Sequence, residues 1–297
     1  GHSTAVSRAT SYFSATAYYN EMTAGVSYYH FVEQIAKNYE TEKTALVAKL
    51  EEVCKKLFTR ENLLISYTAD DEGYAKLPET MKLLTEKLPE GSGEHFAFTH
   101  PVENINEGLK TAAQVDYVAR CGSFRKSGLA YTGALKILQV ILSYDYLWLN
   151  IRVKGGAYGC MSGFGRSGEG YLVSYRDPNL KETNEIYEGI PEYLRQFNPD
   201  DRDMTKYVIG TISNMDTPLT PSVKGSRGLS AYLSGVTEEM MQKERDEVLT
   251  ATKEDIRALA DIVQAVLDTG SFCVVGNEEK IEANREMFGS VESLSRA

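Results

Sequence analysis

A chain of 297 residues has room for one large domain or as many as two smaller ones, and its 42% hydrophobic content is that of a globular protein rather than a disordered one. With 32 Lys and Arg against 42 Asp and Glu, the net charge of −10 argues against nucleic acid as a partner, because no basic excess exists to displace counterions from a phosphate backbone. Cys54, Cys121, Cys160 and Cys273 are widely spaced with no CxxC pair, the pattern of reduced core thiols, so a reducing compartment such as the cytoplasm is expected. The only long apolar run is interrupted by Lys136, Gln139 and Asp145, too polar for a membrane span. No secretory signal opens the chain, but it lacks an initiating Met and reads as beginning inside a longer protein.

In chain order, residues 3–24 suit a helix that Gly25 breaks, followed by a second helical stretch through Tyr28 to Ile35. From Thr41 to Phe58 apolar residues recur every three or four positions, predicting a helix packed on a sheet. Leu63–Ala69 reads as a strand and Tyr74–Leu88 as another helix, together the tail of an α+β domain over residues 1–90. The Pro- and Gly-containing stretch 91–108 reads as a linker, and 109–297 as a complete second α+β domain. There, Thr111–Phe124 alternates like a half-buried strand, and Leu135–Leu149 is apolar nearly all round, a helix to be sandwiched between layers. Tyr171–Asp177 suits a strand and Asn179–Phe197 a helix kinked at Pro191. A third helix, 201–216, ends in a proline-containing loop, TPLTPSVKGSRG, expected to be mobile. Helices over 237–249 and 252–267 follow, the second with a Thr252–Asp255 capping box, then a strand at 271–276 and a last helix capped by Asn277. The fold class expected is an antiparallel sheet packed against α-helices.

Several motifs invite chemistry that their context refuses. Gly163, Gly165 and Gly168 match GxGxxG, yet an alternating strand pattern follows them instead of a helix, so a hairpin turn is the reading. Of His2, His30, His95 and His100, the GEH at 93–95 resembles the end of an HxxEH zinc motif, but position 91 is Gly91 and no metal site is expected. No serine elbow or nucleophilic cysteine context is present. The stretch that stands out is Ile-Arg-Val-Lys-Gly-Gly-Ala-Tyr-Gly at 151–159, a helix-to-strand junction whose glycines suit a site that receives an extended peptide.

The string LWLNIRVKGGAYG resembles the Arg- and Tyr-containing signature in the C-terminal half of insulinase/pitrilysin zinc metallopeptidases, in particular their presequence-protease branch. GHSTAVSRATSYFSATAYYNEMTAGVSYYHF and FCVVGNEEKIEANREMFG resemble that branch too, so the likeness runs over essentially the whole chain. The resemblance implies a clamshell enzyme whose N-terminal half binds zinc through HxxEH, with this chain on the side without zinc. It implies that Tyr158 and Arg152 give hydrogen bonds to the scissile carbonyl or oxyanion and to substrate main chain, with Gly155, Gly156, Ala157 and Gly159 shaping the substrate path. The implied partners are unstructured peptides and the N-terminal half of the same polypeptide, with neither nucleic acid nor membrane involved. A catalytically inactive peptide-binding or assembly subunit of the same family is the alternative.

Overall fold

The computed structural model describes residues 1–93, 97–101 and 103–295. Its elements, in order, are α1 (His2–Ser11), α2 (Ala15–Ala24), α3 (Val26–Lys37), α4 (Tyr39–Leu57), α5 (Asp71–Lys87), β1 (Glu107–Thr111), β2 (Tyr117–Ser123) and α6 (Ala134–Ile141). After α6 come β3 (Gly159–Phe164), β4 (Glu169–Tyr175), α7 (Lys181–Glu188), α8 (Ile190–Arg195), α9 (Asp201–Met215), α10 (Pro221–Ser234), α11 (Glu238–Leu249), α12 (Lys253–Asp268), β5 (Ser271–Asn277), α13 (Glu278–Ala283) and β6 (Ser290–Ser293). Two compact units emerge: one from Gly1–Phe31, Thr99–Asp216 and Gln242–Ala297, the other from Val32–Phe98 and Thr217–Met241. The sequence boundary at residues 91–108 assigned all of 1–90 to one preceding domain, whereas the first 31 residues group with the later sheet.

Among the described residues, six strands of the larger unit form one sheet in the order β3-β4-β2-β5-β1-β6. Pairing is antiparallel from β3 through β5, while β1 joins β5 in parallel and β6 joins β1 in parallel. The helix-packed antiparallel sheet expected from sequence is thus extended by two parallel strands into a mixed one. Strand alternation sorts side chains onto two faces. Val118, Leu172, Phe272 and Val274 join the core built with α6, α8 and α12, including Leu138, Leu194 and Val263. Ala119, Cys121, Val173, Cys273 and Val275 face the other way, against Ala5, Ala9 and Tyr12 of α1. Being covered on both faces explains the apolar run Phe272–Val275 in β5.

An ion cluster ties α1 to β1. Arg8 donates through Nη2 to Glu107 Oε1 at 2.9 Å and through Nη1 to Glu21 Oε1 at 2.9 Å, and the Tyr12 hydroxyl donates to Glu107 as well. Burial would raise the Glu107 carboxyl, but the hydrogen bonds and charge of Arg8 outweigh it and hold Glu107 below its usual range. β1 lies partly inside the stretch read as linker, because its buried Glu107 gains its partner only from α1.

Other differences have local causes. Residues 3–24 form two helices rather than one, the second started by Ser14, whose side chain accepts from Ala17 N–H. Pro191 sits in the first turn of α8, so the expected kink is a break between α7 and α8. The loop expected after α9 contains α10, started by the Thr220 side chain accepting from Val223 N–H and by Pro221 in its first turn.

In the smaller unit, Leu63–Ala69 makes no strand ladder among the described residues. A Cβ on Gly225 of α10 would come within 1.9 Å of Thr68 Oγ1, so that segment lies against a helix instead. α4 has no buried residue, and Leu50, Val53 and Leu57 of its apolar stripe are exposed rather than packed on a sheet. Arg60 Nε closes the end of α5 by donating to the carbonyls of Thr85 and Leu88, at 2.8 and 2.9 Å. Among the described residues, no helix is long and apolar enough to cross a membrane.

Candidate functional site at a helix to strand junction

The apolar helix α6 does not continue as an α-helix. It passes into π-helical turns over Leu142–Tyr146 and Trp148–Lys154, where the wider turn leaves Ile151 buried in the core and Arg152 and Lys154 toward the surface. Such turns are rare and concentrate at functional sites. The chain then reverses: Gly155 N–H bonds the Asn150 carbonyl at 3.0 Å, Gly156 N–H the Arg152 carbonyl at 3.0 Å, and Ala157 N–H the Ile151 carbonyl at 3.1 Å. Gly156 takes φ +80°, which an L side chain rarely adopts. Gly155 keeps a negative φ and is required for another reason, because a Cβ there would lie 2.6 Å from the Ile151 carbonyl oxygen.

Arg152 and Tyr158 come together. The guanidinium lies 4.5 Å from the centre of the Trp148 ring and 5.3 Å from that of Tyr158, and it donates to the Tyr158 main-chain carbonyl. The Tyr158 N–H bonds the Tyr175 carbonyl at 3.1 Å, and the two rings sit 5.7 Å apart, while the Tyr158 side chain is 63% exposed. Gly159 opens β3, which stands at the edge of the sheet with β4 as its neighbour. Ala157 is buried, so its methyl group packs in the core. The Lys154 ammonium is engaged locally with Asn150 Oδ1 at 3.2 Å.

The loop after β4 completes the junction, and the sequence reading passed over it. Arg176 has φ +49°, and its carbonyl accepts from Tyr158 N–H at 3.3 Å. Asn179 Nδ2 donates to the Gly155 carbonyl at 2.6 Å. Asp177 and Asp116, both fully buried, exchange main-chain hydrogen bonds of 2.8 Å. Burial raises both carboxyls, against the pull of the Thr183 hydroxyl and Asn179 N–H on Asp177 and of Asn277 N–H and Lys280 on Asp116. The Asp-Pro-Asn run at 177–179 was the available signal, a turn sequence directly after a strand.

Candidates for other chemistry fall away. Burial pushes the Cys121 and Cys160 thiols up, to about 12 and about 11, so neither is a ready nucleophile at neutral pH. The GxGxxG glycines make the β3–β4 hairpin, with Gly165 N–H bonded to the Glu169 carbonyl at 2.8 Å. His2 packs edge-on against Tyr175, His30 meets the Leu294 carbonyl and His100 the Ser11 carbonyl, three separate places, and His95 lies outside the described residues. Among the described residues no group of three or more His, Cys, Asp or Glu could hold a metal ion, so the zinc implied by the resemblance finds no ligand set among them.

Residues 106–278 match the family profile of the PreP C-terminal domain. The chain is 41% identical over 294 residues to protein HypA of Clostridium perfringens, covering 99% of this chain and 30% of HypA. It is 31% identical over 285 residues to presequence protease 1, chloroplastic/mitochondrial, of Arabidopsis thaliana, covering 95% of this chain and 26% of that protein. Among solved structures, the peptidase M16 inactive domain from Pseudomonas fluorescens superposes with a TM-score of 0.48 at 14% identity, over 68% of this chain and 50% of that one. The presequence-protease likeness read from the three sequence stretches therefore holds, and the chain belongs to the PreP C-terminal domain family.

Proposed function

We propose that this chain is the zinc-free side of a zinc-dependent metalloendopeptidase that degrades oligopeptides, and that Tyr158 and Arg152 are its contribution to the reaction. The chain spans less than a third of HypA and of the Arabidopsis presequence protease, which supports a reading in which the remainder of such a polypeptide supplies the zinc-binding half. The observation that carries the proposal is the exposed Tyr158 phenol, held at the end of an edge strand beside the Arg152 guanidinium in a chain of this family.

Peptide-bond hydrolysis places a negative charge on the former carbonyl oxygen as water adds. A phenol O–H is a donor that stays protonated at neutral pH, and a guanidinium is permanently charged with several N–H donors. Tyr158 meets the developing oxyanion, and Arg152, releasing its own loop carbonyl, meets a substrate main-chain carbonyl. Gly155, Gly156 and Gly159 keep bulk away from the peptide path, while Ala157 anchors the loop beneath it. Four free thiols suit reducing surroundings, the cytoplasm expected from sequence among them.

The test is cleavage of a quenched fluorescent peptide by the longest native polypeptide containing this chain, wild type against Tyr158→Phe. Loss of one oxyanion donor lowers kcat by roughly ten- to a thousandfold with little change in KM. Equal activity would remove Tyr158 from the mechanism, and no cleavage by wild type would favour a peptide-binding subunit.

A further inference from the structure

The Tyr158 phenol projects into solvent, and the geometry of its loop fixes where it points. The loop is gripped from two sides. On the helix side, the carbonyls of Asn150, Ile151 and Arg152 take the N–H groups of Gly155, Ala157 and Gly156. On the strand side the grip comes from the residues that follow β4. Asn179 Nδ2 holds the Gly155 carbonyl at 2.6 Å, and a Cβ on Gly156 would sit 3.6 Å from Pro178 Cγ, so the ring of Pro178 lies beside the left-handed turn.

Asn179 is itself held. Asp177 Oδ1 accepts its main-chain N–H at 2.9 Å, and Asp177 Oδ2 accepts the Thr183 hydroxyl at 2.7 Å. The Asp177 main chain is clamped by Asp116, whose Oδ1 takes Asn277 N–H at 2.8 Å and whose Oδ2 faces the Lys280 ammonium at 3.4 Å. Lys280 Nζ also donates to the Pro178 carbonyl at 2.7 Å. A connected set of polar contacts therefore runs from the first turn of α13 to the Gly155 carbonyl. Burying two carboxylates side by side is costly, and such an arrangement persists where surrounding structure enforces it.

We propose that Asn179, oriented by the buried Asp177–Asp116–Lys280 cluster, is a positioning residue for the Arg152–Tyr158 pair. It rests on the functional reading above and deepens it, by naming the contact that sets the pair's geometry. Removing the Asn179 donor frees the Gly155 carbonyl, and the turn through Gly156 relaxes, carrying the exposed phenol off its aim. Displacements of about 1 Å at reacting groups cost on the order of a hundredfold in rate.

The experiment is a double-mutant cycle in the longest native polypeptide, with Tyr158→Phe, Asn179→Ala and their combination assayed on a quenched fluorescent peptide. Asn179→Ala is expected to lower kcat about tenfold or more with KM nearly unchanged, and to add little once Tyr158 is already Phe, because one residue acts through the other. Asn179→Asp, of the same shape but without the donor, is expected to behave like Asn179→Ala and decides the matter if the alanine variant fails to fold. Asp177→Asn retains an acceptor for Asn179 N–H and is expected to keep kcat within about threefold, while Asp177→Ala is not. If Tyr158→Phe lowers kcat but Asn179→Ala and Asn179→Asp do not, the positioning role is wrong and the functional reading stands. If the Asn179 and Tyr158 effects multiply, Asn179 acts by another route. If Tyr158→Phe has no effect, both fall.

Discussion

The glycines of the central motif are not equivalent, and stability measurements can rank them. A Cβ at Gly155 meets a main-chain oxygen at 2.6 Å, which only a backbone shift relieves, whereas at Gly156 the obstacle is the positive φ, worth about 1 kcal/mol or more for alanine. At Gly159 the nearest atom to an added Cβ is the Tyr175 Cβ at 3.9 Å, an ordinary contact. Chemical denaturation of the three alanine variants is therefore expected to place Gly155 as the most damaging and Gly159 as the least. Near-equal losses would mean the turn is more adaptable than its hydrogen bonds imply.

Two sets of buried acids give opposite pH dependence. Glu107 is lowered in the folded state, so its contribution to stability is present above its unfolded value near about 4.3 and is lost as pH falls through the folded one. Asp116 and Asp177 are raised, so their folded state favours the protonated form, and stability is lost as pH rises through their folded values. Asp177→Asn is accordingly expected to raise Tm at pH 7 and to gain less as the pH drops toward about 4. Glu107→Gln is expected to lose stability at pH 7, because Arg8 keeps its charge without its bidentate partner. Arg152 and Tyr158 stand out in sequence because one short segment carries both residues. Asn179 does not, since its role depends on a carbonyl 24 residues away.

Among the elements, some started by local side-chain bonds were readable and those fixed by distant partners were not. The Thr252–Asp255 capping box is present in both directions, and Asn277 starts α13 by accepting from Lys280 N–H. Thr252→Ala is expected to cost about 1 kcal/mol in an equilibrium unfolding measurement. α10 carried the same kind of signal in Thr220 and Pro221, but Pro218 and Pro221 were read as loop punctuation. β1 has no apolar alternation to find, its burial resting on Arg8, 99 residues earlier. The π-helical turns after α6 leave no periodic signature, although they set where Arg152 emerges.

For the whole molecule, the sheet-on-helix class was readable from the alternating and helical patterns, but the division into units was not. Residues 1–31 close one face of a sheet whose strands begin beyond residue 106, and no local pattern announces such a partner. The chain, expressed alone, is expected to cleave no peptide and to carry no stoichiometric zinc by elemental analysis. Zinc near one equivalent, abolished by substituting any histidine, would place a metal site in this chain and overturn the assignment of zinc to the other half. If the reaction is shared between two halves as proposed, activity depends on their closing together, and kcat carries the conformational step as well as the chemistry.

The position of β5 sets a condition on how the protein is made. Formed from residues 271–277, it lies between β2 and β1, in the middle of the sheet. Until a ribosome has passed residue 277, β1 and the β3-β4-β2 group have no strand to join them, and the larger unit cannot acquire its final topology. Folding of that unit awaits synthesis of β5, and its many contacts between distant residues make the search slow. A nascent chain stalled at residue 270 would hold the β3-β4-β2 group with the β2 edge open to other chains and β1 without either of its neighbours.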